Sequence, residues 1–148
     1  MKSMLLTLIA NIAISIGVPP RLAQELAIHE SKLVVDCVGV TGDLGIMQLN
    51  PKYIPFFLDK FWSKEYPEFD VFDARHNVYI GLSYLKWLHD HYKVNWWQAI
   101  IGYNCGPQRA FVEVNAPNSS VDMASNIITA SNYRNGYEVW KPALQIFN

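Results

Sequence analysis

The chain has 148 residues, enough for one domain with a substantial core and too few for two ordinary domains. Apolar residues make up 51% of it, and five Trp, eight Tyr and seven Phe exclude a disordered chain. Twelve basic and thirteen acidic residues give a formal charge of −1 without long charged runs, so we expect neither nucleic acid nor an anionic membrane surface as a partner.

The first predicted element is an amphipathic helix near residues 3–16. Three apolar residues recur there at a spacing of four and form its expected buried stripe: Leu8, Ile12 and Ile16. Gly17 can end this helix, because glycine readily adopts the left-handed conformation of a helix cap.

Residues 1–18 also have features of a secretory signal, since Lys2 precedes the apolar run. The run is too short to span a bilayer, two polar residues interrupt it, and no clear cleavage motif follows. We therefore expect a first helix here rather than a signal peptide.

A second helix is predicted near residues 19–31, opened by the Pro19–Pro20 pair. Glu30 lies near its end, on the same face as Leu26 and Ala23 at 3.6 residues per turn. A carboxyl group at the edge of a packed face is partly removed from water, which raises its pKa. A carboxyl that stays protonated near neutral pH can act as a general acid.

The middle of the chain reads as loops and helices in alternation. We predict a loop over 35–45, a short aromatic helix over 51–62 and a loop over 63–72. Asp73 can cap a longer helix that runs to about Tyr92. That helix has a regular buried stripe: Val78, Leu82, Leu85 and Leu88.

Asn95 can cap the next helix, Trp96 to Asn104, which the Gly106–Pro107 pair terminates. The chain then continues with a loop near 115–120 and two helical stretches, near 121–130 and 132–146. About seven helices and no convincing strand predict an all-α fold.

Four segments, in this order, resemble those of a known family: GVPPRLAQELAIHESK from Gly17 to Lys32, TGDLGIMQLNP from Thr41 to Pro51, HNVYIGLSYLKWL from His76 to Leu88, and AIIGYNCGP from Ala99 to Pro107. They resemble the SLT-type lytic transglycosylases, which share a lysozyme-like fold related to goose-type lysozyme. The resemblance covers about residues 5–110. It implies a single lysozyme-like domain over residues 1–148, similar to small phage or secretion-system members.

The resemblance implies a peptidoglycan lytic transglycosylase with Glu30 as its sole catalytic residue. As an acid, Glu30 would protonate the oxygen of the β-1,4 bond between N-acetylmuramic acid and N-acetylglucosamine. As a base, it would then deprotonate the muramyl C6 hydroxyl, which closes a 1,6-anhydro ring. Intramolecular attack fits one carboxylate, whereas a hydrolase needs a second positioned one.

The resemblance also implies substrate-binding residues. Gln48 and Asn104 are candidates for hydrogen bonds to the sugar acetamido groups, and Tyr103 is a candidate for lining the cleft. Each has a structural alternative, since an amide can tie a loop to the core and a ring can pack within it.

Three further positions belong to the implied site. Thr41 matches a hydroxyl position that can touch Glu30, the glycan or its own loop. Met47 is expected to be buried beneath the cleft rather than to act chemically. Tyr133 and Tyr137 compete for a late tyrosine near the catalytic glutamate, and we favour Tyr133.

Two alternative functions stay open at this point. Asp43, where many members of the family carry Ala, or Asp36 could position a water, which would make the chain a lysozyme-like muramidase that hydrolyses the bond. The other alternative is a non-catalytic glycan-binding or assembly module, against which the presence of Glu30 argues.

The sequence gives little sign of a metal or cofactor. In the His89-Asp90-His91 trio the two imidazoles diverge on a helix, so we expect no metal site, and the resemblance implies no cofactor. Cys37 and Cys105 allow one disulfide or two free thiols, of which free thiols are the expectation.

The expected partner is the peptidoglycan glycan strand, and we expect a monomer without stable membrane insertion. A phage virion and an envelope-spanning assembly both fit as larger partners. The protein is expected to act in the periplasm or cell wall, delivered by a phage or exported by a bacterium.

Overall fold

The computed structural model describes residues 1–132. Within this range the chain forms six α-helices: α1 (Lys2–Ile16), α2 (Pro20–Ser31), α3 (Ile54–Phe61), α4 (Ala74–His91), α5 (Trp96–Cys105) and α6 (Asn118–Ala130). A 3₁₀ turn over Pro51–Tyr53 precedes α3, and a π-helical turn over Gln108–Val112 follows α5. The predicted all-α class is confirmed, because the extended pairing among the described residues consists of two isolated bridges.

The described residues divide into two compact units, one over Met1–Tyr84 and one that begins at Leu85, with the boundary inside α4. The predicted last helix, near 132–146, lies outside the described residues except for its first position. Of the described helices, none has the length and apolar character that crossing a membrane requires. A single domain over residues 1–148 stays a prediction.

In the first unit, α1 packs against α2, and the Gln24 side-chain amide joins them by donating to the Leu6 carbonyl over 2.9 Å. The predicted stripe of α1 is wrong in register. Its members are only half-buried, and the buried line lies beside it: Leu5, Ile9 and Ala13. Since α1 is apolar around most of its circumference, spacing alone does not select the face on which α2 packs.

The segment between α2 and the 3₁₀ turn has little regular structure and is held by one side chain from α4. Asn77 is fully buried. Its Oδ1 accepts a hydrogen bond from the Met47 backbone N–H over 2.8 Å. Its Nδ2 donates to the carbonyls of Leu44 over 3.1 Å and Val71 over 2.8 Å. This carboxamide therefore joins three segments of the first unit.

Gly45 allows that close approach. Its φ is +82°, and a Cβ at this position would lie 2.8 Å from the Val71 carbonyl oxygen and closer still to the Asn77 amide nitrogen. Gly42 also has a left-handed φ, +92°, but nothing lies within 4 Å of where its Cβ would be. The two glycines therefore differ in their surroundings rather than in their backbone.

Both predicted caps of the central helices are present. The Asp73 carboxylate accepts from the His76 backbone N–H over 3.0 Å at the start of α4, and the predicted stripe of α4 is fully buried. Asn95 and Gln98 form a reciprocal capping box at the start of α5, with bonds of 2.9 and 3.1 Å. Gly106 ends α5 as expected.

In the second unit, α5 packs against α6 and the π-helical turn. The helix predicted for 121–130 begins earlier, at Asn118, so the prediction of a loop over 115–120 is wrong for its second half. Pro117 precedes that helix start, and Ser120 is buried rather than exposed. Polar residues that are typical of loops here form the first turn of a helix.

We expect Gly45→Ala to destabilise the protein more than Gly42→Ala does. Both substitutions carry the cost of a left-handed residue with a Cβ, about 1–2 kcal/mol, but only Gly45→Ala also forces the turn away from Asn77 and Val71. Urea unfolding would compare the two free energies of unfolding. Equal losses would contradict the close approach at Gly45.

Candidate active site

Glu30 is the penultimate residue of α2 and is half-buried. Leu26 and Ala23 on the same face are fully buried, as predicted. Burial raises the pKa of the Glu30 carboxyl to about 8, and the negative charge of Asp43 acts in the same direction. The carboxyl is therefore protonated at neutral pH, which is the state that a general acid requires.

After Ser31, the last residue of α2, the chain continues through two left-handed residues. Lys32 has φ 55° and Leu33 φ 64°. The Lys32 N–H donates to the Ile28 carbonyl over 2.8 Å, and the Leu33 side chain is buried. Left-handed backbone costs about 1 kcal/mol or more for residues other than glycine, and the burial of Leu33 offsets part of that cost. Packing thus fixes the helix end that carries the carboxyl.

Asp43 is the aspartate whose charge reaches Glu30, whereas Asp36 is exposed. The Thr41 hydroxyl lies within its own loop, where Oγ1 donates to Asp43 Oδ2 over 3.4 Å. Thr41 itself is exposed. This bond joins two side chains of the same loop, and contacts of Thr41 with the glycan stay a prediction.

Gln48 has a left-handed backbone, with φ 54°, and a half-buried side chain. Its Nε2 donates to the carbonyls of Gly45 over 2.9 Å and Cys37 over 3.3 Å. A carboxamide nitrogen has two hydrogens, so both donors serve the loop. Oε1 lies over Gly39, where an added Cβ would collide with it. What Gln48 can offer a ligand is therefore an acceptor oxygen.

Met47 is fully buried, as predicted. The end of α2 and the loop after it, both in the first unit, contain four of the predicted site residues, Glu30, Thr41, Met47 and Gln48, together with Asp43, the residue of the hydrolase alternative.

The second unit contains the other two described candidates, both on α5. Tyr103 is half-buried and Asn104 is exposed. Asn104 Oδ1 accepts a hydrogen bond of 2.5 Å from the hydroxyl of the buried Ser120. This bond gives the amide a structural use, one of the two roles considered for it, and leaves its nitrogen side for other contacts. Tyr133 and Tyr137 lie outside the described residues.

The histidine trio is occupied by aromatic stacking. His89 stacks on Trp96 with ring centroids 3.9 Å apart, and His91 stacks on Trp87 at 4.5 Å. Over residues 1–132, no three potential ligands are grouped so that they could hold a metal ion. Cys37 and Cys105 are both half-buried free thiols.

Asn77 is the residue of this region that sequence reasoning missed. A signal was available, because Asn77 lies four residues before Gly81 and eight before Leu85, and all three are buried on α4. A polar side chain on a buried helix face needs partners. The sequence does not say that those partners are the backbone of the loop that carries Gln48.

Solved structures share this fold. The chain superimposes on an inactive variant of the lytic transglycosylase Slt from Pseudomonas aeruginosa with a TM-score of 0.72 and 19% identity, covering 84% of this chain and 23% of that one. For the 70 kDa soluble lytic transglycosylase of Escherichia coli the TM-score is 0.73 and the identity 22%, covering 89% and 24%. A complex of the 70-kDa soluble lytic transglycosylase with bulgecin A gives 0.73 and 21%, with the same coverage.

This chain therefore spans about a quarter of the length of those structures. No protein with a curated description matches its sequence. The sequence profile of the Transglycosylase SLT domain matches residues 7–120, well over half of the chain and including Glu30 and the segment that carries Gln48. The chain belongs to the transglycosylase SLT domain family.

Proposed function

We propose that this chain is a peptidoglycan lytic transglycosylase that cleaves the β-1,4 bond between N-acetylmuramic acid and N-acetylglucosamine. The observation that carries the proposal is the Glu30 carboxyl, which is held protonated at neutral pH by burial at the end of α2. Membership in the SLT family supports the substrate and the bond.

Glu30 performs both proton transfers. The protonated carboxyl gives its proton to the glycosidic oxygen as the bond from that oxygen to the muramyl C1 breaks. The muramyl C6 oxygen then bonds to C1, and its proton passes to the Glu30 carboxylate. The acid is thereby regenerated and no water is consumed. The effective concentration of an internal hydroxyl replaces the second carboxylate of a hydrolase.

Gln48 supports this reaction by accepting a hydrogen bond. Because both hydrogens of its Nε2 are directed at the Gly45 and Cys37 carbonyls, Oε1 is the atom that a sugar can use. An acetamido group presents an N–H donor and a carbonyl acceptor, and Gln48 matches the N–H. Substrate binding by Tyr103, Asn104, Thr41 and Tyr133 stays a prediction.

A second candidate function is hydrolysis of the same bond, and the observation that favours it is the negative charge of Asp43 near Glu30. A carboxylate close enough to raise the pKa of Glu30 is also close to the reacting bond. In that case Asp43 would orient a water towards C1, and the product would be a reducing sugar.

The site of action follows from the substrate. Peptidoglycan places the reaction in the periplasm or cell wall, with the glycan strand as the partner. Delivery by a phage and export by a bacterium both remain compatible with it.

Glu30→Gln should abolish release of muropeptides from purified peptidoglycan, with a loss of at least about 10²-fold, because the glutamine amide is not acidic enough to transfer a proton to the glycosidic oxygen. Mass spectrometry of wild-type products should find anhydro-muropeptides, lighter by one water than hydrolysed ones. His29→Gln, on the exposed neighbouring residue, is the matched control and should keep full activity. Turnover by Glu30→Gln would rule out the proposed acid. Binding to peptidoglycan without release by the wild type would support the non-catalytic module.

The raised pKa of Glu30 also predicts a pH dependence of stability. Between the ordinary pKa of 4.5 and about 8, the unfolded chain loses a proton that the folded protein retains, so the free energy of unfolding falls as the pH rises. Glu30→Gln lacks this effect. The free energy of unfolding of Glu30→Gln minus that of the wild type should therefore grow between pH 4.5 and 8, by about 3–5 kcal/mol in total. Denaturant unfolding at pH 4, 6 and 8 measures the difference, and a constant difference would contradict the raised pKa.

Asp43→Asn separates the two candidate reactions. The wild-type kcat/KM should fall above about pH 8, where Glu30 loses its proton. Removing the Asp43 charge should move that decline to lower pH and leave anhydro products in place. Asp36→Asn, on the exposed loop, is the control and should leave the profile unchanged. Reducing-end products from the wild type, together with inactivity of Asp43→Asn, would identify a hydrolase instead.

A further inference from the structure

The turn that carries Gln48 has its own internal hydrogen bonds. Leu44 N–H donates to the Leu49 carbonyl over 2.9 Å, and Leu49 N–H donates back over 2.8 Å. Gln48 N–H donates to the Gly45 carbonyl over 3.1 Å. These bonds determine the shape of the turn, but none of them attaches it to a helix.

Asn77 supplies an attachment. It accepts from Met47 and donates to Leu44, so it binds the turn at two points, and its second donated bond reaches Val71 in the loop before α4. Both amide hydrogens are used, and the side chain is fully buried. Among side chains of this size, a carboxamide is suited to this position because it accepts and donates twice.

The turn that carries Gln48 also holds the loop that contains Asp43. Gly45 N–H donates to the Cys37 carbonyl over 2.8 Å, and Gly39 N–H donates to the Asp43 carbonyl over 2.8 Å. The Gln48 side chain closes the same loop at Cys37. A shift of the turn relative to α4 would therefore move Gln48 and also Asp43, whose charge acts on Glu30.

We propose that Asn77 is a positioning residue for the reaction at Glu30. It touches no substrate, and it acts by fixing the turn that carries Gln48 and the loop that carries Asp43 against the first turns of α4. This inference rests on the proposed function, since it concerns the same site.

The test uses Asn77→Asp in the full chain. An aspartate carboxylate can still accept from Met47 N–H, but it faces the Leu44 and Val71 carbonyls without a hydrogen to donate. A protonated aspartic acid regains one donor. We expect the kcat/KM of Asn77→Asp, per folded molecule, to be about 10- to 100-fold below the wild-type value at pH 7.5, because a small displacement of groups at a reacting site costs about that much. The ratio of variant to wild type should recover severalfold at pH 5.

Leu82→Ala is the matched control, because Leu82 is fully buried on the same helix and has no bond to the loop. It should lower the free energy of unfolding by about 2–5 kcal/mol and leave kcat/KM per folded molecule unchanged at both pH values. If Asn77→Asp does not fold at pH 7.5, Asn77→Ser keeps one hydroxyl for the loop and serves for the same comparison, with an expected deficit per folded molecule.

Outcomes for the two proposals are distinguishable. In one outcome, the wild type is active and the kcat/KM of Asn77→Asp falls only in proportion to its folded fraction, as for Leu82→Ala. That result overturns the positioning role and leaves the proposed function standing. A wild type that releases no muropeptide overturns the proposed function and the positioning role together. A deficit per folded molecule that narrows at pH 5 supports both.

Discussion

The buried carboxamide of Asn77 is the interaction on which the first unit depends. The stretch from Lys32 to Asn50 has almost no regular structure, so its backbone polar groups cannot rely on a helix or sheet for partners. One side chain on α4 satisfies two of them, and its third bond, to Val71, joins the turn to the segment before α4. Removing such a group leaves buried donors and acceptors unpaired, which costs more than the bonds contribute on balance. Gly45 belongs to the same constraint, because any side chain there would occupy the space of the carboxamide.

That constraint gives a physical reason for the unusual state of Glu30. Burying a carboxyl group destabilises the folded protein at neutral pH, and a second carboxylate nearby increases that cost. A mobile loop would let water reach Glu30 and let Asp43 move away, and both changes would lower the pKa towards its ordinary value. A loop tied to α4 and braced by Gln48 limits both changes. The raised pKa of Glu30 therefore depends on the groups that hold the surrounding loop in place.

Features that depend on neighbours in the chain could be predicted from the sequence. The caps at Asp73 and Asn95 involve side chains and backbone groups three residues apart, and the stripe of α4 has an unambiguous period. Features that depend on distant residues could not. The buried line of α1 is set by where α2 packs, and two of the three partners of Asn77 lie 30 and 33 residues earlier in the chain. The ordered motifs predict which residue types to consider at the candidate site, but they do not predict the left-handed backbone of Gln48.

The geometry of Gln48 also changes how a polar residue at such a site is interpreted. From the sequence, its side chain is a candidate for hydrogen bonds to a sugar acetamido group, and a structural amide that ties the loop to the core is the alternative. In the structure the nitrogen serves the loop, and the oxygen is the acceptor that the side chain still has for the proposed contact to a sugar. The structural role and the proposed substrate-binding role are then compatible, since the bonds to the loop fix the direction of the oxygen. The same reasoning applies to Asn104, whose oxygen is engaged by Ser120 so that its nitrogen side is the one left for a ligand. A carboxamide with one end fixed by the protein recognises a ligand group of only one polarity, and an acetamido group has both to offer.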